Sequence, residues 1–317
     1  MRIVSLSPTA TEIICLLGLE DQLVGVTHAC DYPAYVRSLP KVTSSAVPVG
    51  ATHSERSQDS GTPCASEPPC FALDTEAIRR LSPDMIVTQE LDETSFVADS
   101  EIEKACAELS QRPQMFTLDP ATPVDLFHAI QDLGAVTGRD REARVAVHGL
   151  DIRFTAVTSK ISEAKRRERV ILLEGLRPLQ CASYWNPELI YRTGGEDGFG
   201  YPGRPSRPLT WGEIAEWDPE VLIVACAGTS IEQVRNEAPL LADQPGWNEL
   251  SCVKAGRVFL VDGVSFFHRP GPRLIESLEI LAALIHPELC ELPEELKGAV
   301  EPFPGLMTSA DEDDPEE

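Results

Sequence analysis

A histidine, a cysteine and an aspartate stand within four positions in His28-Ala29-Cys30-Asp31. Imidazole, thiolate and carboxylate all ligate metals, so the trio is a candidate metal site. Extended backbone works against it. Residues two apart share a face, so His28 and Cys30 converge while Asp31 points away. The competing reading has Asp31 capping the turn at Tyr32-Pro33, with His28 lining a ligand site or satisfied by a hydrogen bond. Gln89 and Glu90 follow one predicted strand and Glu174 ends another. Carboxylates at strand ends serve as acid/base groups, as ligand anchors, or only as solvated loop residues. Cys64 and Cys70 flank five residues and would need two more ligands to clip a metal, with His53 the only near candidate; two exposed loop cysteines is the simpler reading. The glycine-rich run from Gly194 to Gly200 does not follow a strand and is set among acids, so it is no nucleotide fingerprint. Gly-x-Ser-x-Gly, a phosphate loop and His-Glu-x-x-His are all absent. No catalytic residue, metal site or cofactor is assigned from these residues.

These residues need a frame. Strands are predicted over residues 3–6, 23–26, 84–88 and 114–118, with helices opening at Pro8 and spanning 75–81 and 101–111. Thr9 with Glu12 three residues on fits a capping box, and Gly18 ends that helix. This alternation is the rhythm of a parallel sheet covered on both faces. Residues 44–70, rich in Ser, Pro, Gly and Thr, read as a surface insertion. A helix over 122–136 follows. Then Ala143, Val147, Leu150, Phe154, Val157, Ile161 and Ala164 form one apolar stripe, predicting a single helix over 140–166 roughly 40 Å long. The rhythm then repeats, with strands over 169–174, 221–225 and 257–261 and helices over 186–193, 211–216, 230–242 and 273–285. The expected organisation is an α/β lobe over 1–121, a helical region with a connecting strut over 122–166, a second α/β lobe over 167–287, and a disordered acidic tail over 288–317.

The chain has 317 residues and a net charge of −24. From Glu288 onward eleven acids and one lysine give −10, which leaves −14 for the rest. An acidic body argues against nucleic acid and anionic membrane surfaces. No apolar run approaches the ~20 residues of a membrane helix. The first strand begins at Ile3 with no signal-peptide pattern before it, and the nine cysteines are odd in number and scattered, as buried reduced thiols are. Both features lead to an expected cytoplasmic address, and a monomer is expected.

Six motifs occur in order: Ser5-Leu6-Ser7-Pro8-Thr9-Ala10-Thr11-Glu12-Ile13 with Leu17-Gly18-Leu19; Val24-Gly25-Val26-Thr27-His28-Ala29-Cys30-Asp31-Tyr32-Pro33; Leu81-Ser82-Pro83-Asp84-Met85-Ile86-Val87; Trp217-Asp218-Pro219-Glu220-Val221-Leu222-Ile223-Val224; Ala255-Gly256-Arg257-Val258-Phe259; and Arg269-Pro270-Gly271-Pro272-Arg273-Leu274. Together they resemble the periplasmic solute-binding proteins whose two lobes are joined by one long helix. Those proteins serve ABC importers of cobalamin, iron–siderophore, haem and metal ions, and the resemblance is nearest to the cobalamin-binding branch. It covers residues 2–287 apart from the insertion.

The resemblance implies two Rossmann-like lobes with a ligand cleft at the C-terminal strand ends. It places Ser7 and Pro8 at a helix N-terminus facing that cleft. It makes Tyr32, Tyr184, Trp185, Phe266 and Phe267 the aromatic candidates for a large, partly apolar ligand, with His28, Gln89, Glu174 and His268 as polar ones. Arg269-Pro270-Gly271-Pro272 forces a rigid turn that aims residues 266–268. A corrinoid is the implied ligand, and His28 is a candidate nitrogen for its cobalt. Members of the class dock on their transporter through one acidic residue per lobe. Glu76 matches in the first, while the matching second position is Gly212 with Glu213 beside it. A cytoplasmic corrinoid- or chelate-binding protein is thus the leading expectation. The alternatives are a metal-ion, siderophore or haem receptor, an enzyme using Glu174, Glu90 or His28 on a bound metabolite, or a transport component lacking its export signal.

Overall fold

A computed structural model describes residues 1–45, 71–89 and 99–306, which divide into two compact units. The first comprises the described residues up to Asp151 together with Arg269–Pro272, and the second the remainder. Candidates Glu90, His53, Cys64 and Cys70, most of the 44–70 insertion, and the terminal acid run from Asp311 lie outside the described residues.

In the first unit the chain runs β1 (Ile3–Ser5), α1 (Pro8–Leu16), β2 (Leu23–Val26), β3 (Thr43–Ser45), β4 (Phe71–Leu73), α2 (Thr75–Leu81), β5 (Met85–Gln89), α3 (Asp99–Ala107), β6 (Gln114–Leu118), α4 (Pro123–Thr137) and into α5 (Asp140–Ile161). Four parallel strands lie in the order β2-β1-β5-β6. Met85, Ile86, Val87, Thr88 and Gln89 are all buried, as a central parallel strand covered on both faces requires. β3 and β4 pair antiparallel and carry the insertion between them. The α1 cap differs from the expectation. Ser7 is the N-cap, its hydroxyl accepting from Ala10 N at 3.0 Å, while Thr9 is buried inside the helix. Proline at the first helical position puts the cap one residue earlier.

The second unit contains β7 (Glu168–Leu173), β8 (Gly175–Leu176), β9 (Leu179–Gln180), α6 (Asn186–Arg192), β10 (Gly195–Asp197), α7 (Trp211–Trp217), β11 (Val221–Val224), α8 (Ile231–Glu237), α9 (Pro239–Ala242), α10 (Ser251–Lys254), β12 (Val258–Val261), α11 (Leu274–Ile285) and β13 (Val300–Pro302). Its sheet order is β10-β7-β11-β12-β13, parallel except for β13.

Three expectations are corrected. The 140–166 helix ends at Ile161: Ser162 Oγ donates back to Ser159 O at 2.6 Å, and the backbone tightens into a turn before β7. Residues 230–242 are two helices, because Pro239 brings no N–H to the ladder. Residues 288–306 are not a disordered tail. Val300–Pro302 pairs with β12, Phe303 is buried in the core, and Arg235 forks onto the Glu301 carboxylate.

The repeated Pro-Asp/Glu phrase proves to be one device used twice. Ser82 and Asp218, both left-handed, cap α2 and α7. Asp84 then accepts from Arg2 N at 2.7 Å, and Glu220 from Arg169 N at 2.9 Å. Each carboxylate thereby fixes the start of the strand next to its own.

Candidate functional site

At the C-terminal ends of β1, β2 and β5 the first unit gathers Ser7, Pro8, His28, Cys30, Asp31, Tyr32 and Gln89. The three members of the expected metal trio each turn to a different partner. His28 Nδ1 lies 2.8 Å from Thr43 Oγ1, which also accepts from the His28 backbone N–H. Cys30 Sγ lies 3.0 Å from Thr11 Oγ1, Thr11 donates to Ser5 Oγ, and Ser5 donates to Ser7 O. Burial pushes the Cys30 thiol up, so it heads that chain as a donor rather than as a thiolate ligand. Asp31 does not cap the Tyr32-Pro33 turn; its carboxylate takes Arg269 Nη1 at 2.5 Å. Among the described residues no group of three His, Cys, Asp or Glu could hold a metal.

Arg269 organises this face. It also donates to Ala29 O at 3.3 Å and lies 3.8 Å from the buried Glu12 carboxylate. Two residues on, a Cβ on Gly271 would stand 3.1 Å from Glu12 Oε2, so a side chain there would press on that carboxylate. Tyr32 is 47% exposed, whereas Gln89 is buried and its Oε1 has no hydrogen-bond partner among the described residues.

Burial holds the His28 imidazole below its ordinary value, and the Lys41 ammonium adds to the effect. The unfolded chain therefore takes up a proton near pH 6.5 that the folded chain refuses, and stability falls as pH drops through that value. Replacing His28 with glutamine should flatten the fall in melting temperature between about pH 7 and pH 5. An unchanged slope would show that His28 does not contribute.

In the second unit a buried knot forms beyond β7. Glu174 accepts from Ser183 N and Ser183 Oγ, each at 2.6 Å, and from Asn186 Nδ2 at 2.8 Å. Asn186 Nδ2 and Trp185 Nε1 both donate to Phe267 O, at 3.1 and 2.8 Å, and Ser277 Oγ receives Phe267 N–H. Tyr184 (φ 47°) and Phe267 (φ 70°) stand in the left-handed region that side chains disfavour. Such conformations persist only where the surroundings over-determine them, which these hydrogen bonds do.

Tyr184 is half-buried and stacks on Trp185 with ring centroids 5.8 Å apart. Trp185, Phe266 and Phe267 are buried, at 4%, 7% and 1% exposure. His268 Nε2 lies 2.6 Å from Ala225 O. The sequence reading offered Trp185 as a ligand-covering ring and Glu174 as an anchor or acid/base group. The structure gives both of them internal partners. Glu76 is exposed and pairs with Arg79, while Glu213 completes a capping box with Thr210 and pairs with Arg207 at 3.1 Å. Ser183, Asn186, Ser277, Thr43 and Arg269 were not singled out from sequence as site residues.

The sequence pattern of the periplasmic binding protein family matches residues 3–264. The chain belongs to that family. Among the relatives of this periplasmic binding protein is an uncharacterized ABC transporter substrate-binding lipoprotein, YvrC, of Bacillus subtilis, 24% identical over 90% of this chain and 80% of that one. A vitamin B12-binding protein of Vibrio parahaemolyticus is 22% identical over 93% and 90%. Among solved structures, a periplasmic heme binding protein from Pseudomonas aeruginosa superposes with a TM-score of 0.72 at 20% identity, covering 96% of this chain and 99% of that one. The expected two-lobed α/β fold class is the fold of these proteins.

The cytoplasmic address is overturned, since the family and these relatives are periplasmic or lipoprotein binding proteins. The cysteine argument fails on physical grounds. Of the seven described cysteines, all free, six are buried, and burial raises their thiol pKa values, Cys252 to about 12. Such thiols are small core residues, inert in either redox compartment.

Proposed function

We propose that this periplasmic binding protein is the substrate-binding component of an ABC importer and that its cargo is a large chelate. A corrinoid is the first choice, and a haem-like macrocycle or ferric siderophore the second. The observation that carries the reading is the half-buried Tyr184 ring, stacked on Trp185 and fixed by the knot at the strand ends of the second unit. A ring held this way loses little freedom when it covers a planar ligand. The names of the relatives support both choices, one binding vitamin B12 and another heme. The protein binds and delivers rather than converts: Glu174, the strongest acid/base candidate, already has three donors on its carboxylate. On the transporter side, exposed Glu76 is the proposed contact of the first unit. Glu213 is a weaker choice because docking would disturb its helix cap.

Calorimetric titration with cyanocobalamin, hydroxocobalamin, hemin, ferric desferrioxamine and zinc tests this. Micromolar or tighter binding of a cobalamin is expected, weakened by about 1–3 kcal/mol in Tyr184→Ala with little change in melting temperature. Binding of hemin or ferric desferrioxamine alone would move the assignment to the second choice. Zinc binding lost in His28→Ala would make the protein a metal receptor. No binding of any of the five would sink the proposal.

A further inference from the structure

A groove of about 390 Å³ opens in the second unit, lined by Thr158, Ile161, Arg166, Arg167, Tyr191, Arg192 and neighbours. Three arginines line it, in a chain whose net charge is −24. Their surroundings differ. Arg166 bonds Glu220 and Glu168, and Arg192 bonds Glu188. Arg167 has no carboxylate partner among the described residues. It donates through Nη1 to the carbonyls of Tyr191 and Gly195, at 2.7 and 3.0 Å, and its guanidinium lies 3.7 Å above the Tyr191 ring.

In a protein with 51 acidic side chains, an arginine held by backbone carbonyls and an aromatic face, with no carboxylate on it among the described residues, keeps a positive charge at one place. Ordinary surface arginines are neutralised by nearby acids, as its two neighbours are. The groove also has a backbone wall. Gly194, at φ 80°, lines it, and a Cβ there would stand 2.5 Å from His286 Nε2. That nitrogen is buried without a hydrogen-bond partner among the described residues, on a histidine only 3% exposed.

We propose that this groove binds a phosphoryl group, carried by a phosphate monoester or by an anionic phospholipid headgroup, with Arg167 as the fixed cation. Guanidinium forks match phosphate oxygens in pairs, and a phosphate offers enough oxygens for Arg166 and Arg192 to join from the rim. Both rim side chains are near half exposed or more, at 61% and 48%, so they can exchange a carboxylate for the ligand. The groove exceeds a bare phosphate, and Tyr191, 60% exposed, offers a ring to an organic remainder. Strongly acidic surroundings repel anions at long range, so only a local, preorganised cation such as Arg167 admits one. This inference does not rest on the cargo proposed above.

The full chain would be titrated with phenyl phosphate and with benzoate, following arginine Nε–Hε signals by NMR. Co-sedimentation would use vesicles of phosphatidylcholine alone and with phosphatidylglycerol. Saturable phenyl phosphate binding, weakened roughly tenfold or more in Arg167→Ala and by added salt, is the expected result. Binding only to phosphatidylglycerol vesicles, lost in the same variant, would identify the headgroup as the source and also support the proposal. Benzoate binding as tightly as phenyl phosphate would overturn the phosphoryl assignment. If Arg167→Ala does not fold, Arg192→Gln, altered only at the surface, should still weaken binding a few-fold. No saturable binding of either probe, or affinities unchanged in the folded variants, would overturn the proposal.

Discussion

Replacing Glu174 with alanine is expected to lower unfolding free energy by about 3 kcal/mol, because it strips three buried donors of one acceptor. Ser183 N and Oγ and Asn186 Nδ2 all converge on this carboxylate, and Glu174 and Asn186 are 4% and 0% exposed. Removing the acceptor leaves polar groups that water does not reach, and that desolvation is the larger part of the loss. Glu174→Gln keeps the shape and one acceptor oxygen but brings an N–H toward donors, and should cost about half as much. Urea unfolding of the two variants and the parent chain provides the test. A loss below about 1 kcal/mol in Glu174→Ala would mean that the knot relaxes around the gap. The expectation of a ligand anchor at Glu174 and the finding of a structural keystone thus separate in one measurement: an anchor gives a normal denaturation curve and a poor titration.

The alternating elements, their parallel sheets and most strand positions follow from local pattern, because burial on both faces writes itself into runs such as Met85-Ile86-Val87 and Val221-Leu222-Ile223-Val224. The twice-used Pro-Asp/Glu phrase was likewise visible, since its cap and its carboxylate bond involve neighbouring strands that the pattern already supplies. Pro8 at the first helical position marks Ser7 as the cap, a local signal stronger than the Thr9/Glu12 spacing. In residues 288–306 the acid-rich composition masks Val300 and Phe303, apolar residues that place β13 and anchor it.

The site residues were harder for a different reason. Arg269 meets Asp31 across 238 positions and Trp185 meets Phe267 across 82, and neither pairing has a local signature. Type and neighbourhood could nominate Asp31, Trp185 and Glu174 as polar or aromatic residues at strand ends. They could not show that each is engaged by a partner from another motif. The sequence reading therefore assigned ligand-facing roles to side chains to which the fold gives internal partners. Tyr184 is the instructive exception. Its positive φ turns it away from its neighbours' burial, and it stays half-buried beside a buried Trp185.

Trp185→Ala is accordingly expected to act on stability first, by about 3–5 kcal/mol. The indole is 4% exposed, so its loss opens a cavity that a fixed surround fills poorly. The Nε1–H bond to Phe267 O also goes, leaving that carbonyl to Asn186 alone. Phe267 then loses part of what holds its left-handed backbone, a conformation worth of order 1–3 kcal/mol of strain. Trp185→Phe separates the contributions. It retains one ring's packing, deletes the donor and leaves a smaller cavity, so it should cost about half as much. Thermal and urea unfolding of both variants, read beside ligand titration of the folded fraction, decide the matter. If Trp185→Ala unfolds within about 1 kcal/mol of the parent while losing affinity, the indole is a ligand-facing surface and the packing account is wrong. If stability falls as expected and Tyr184→Ala carries the affinity loss instead, the two stacked rings divide the labour, one holding the knot and the other meeting the ligand.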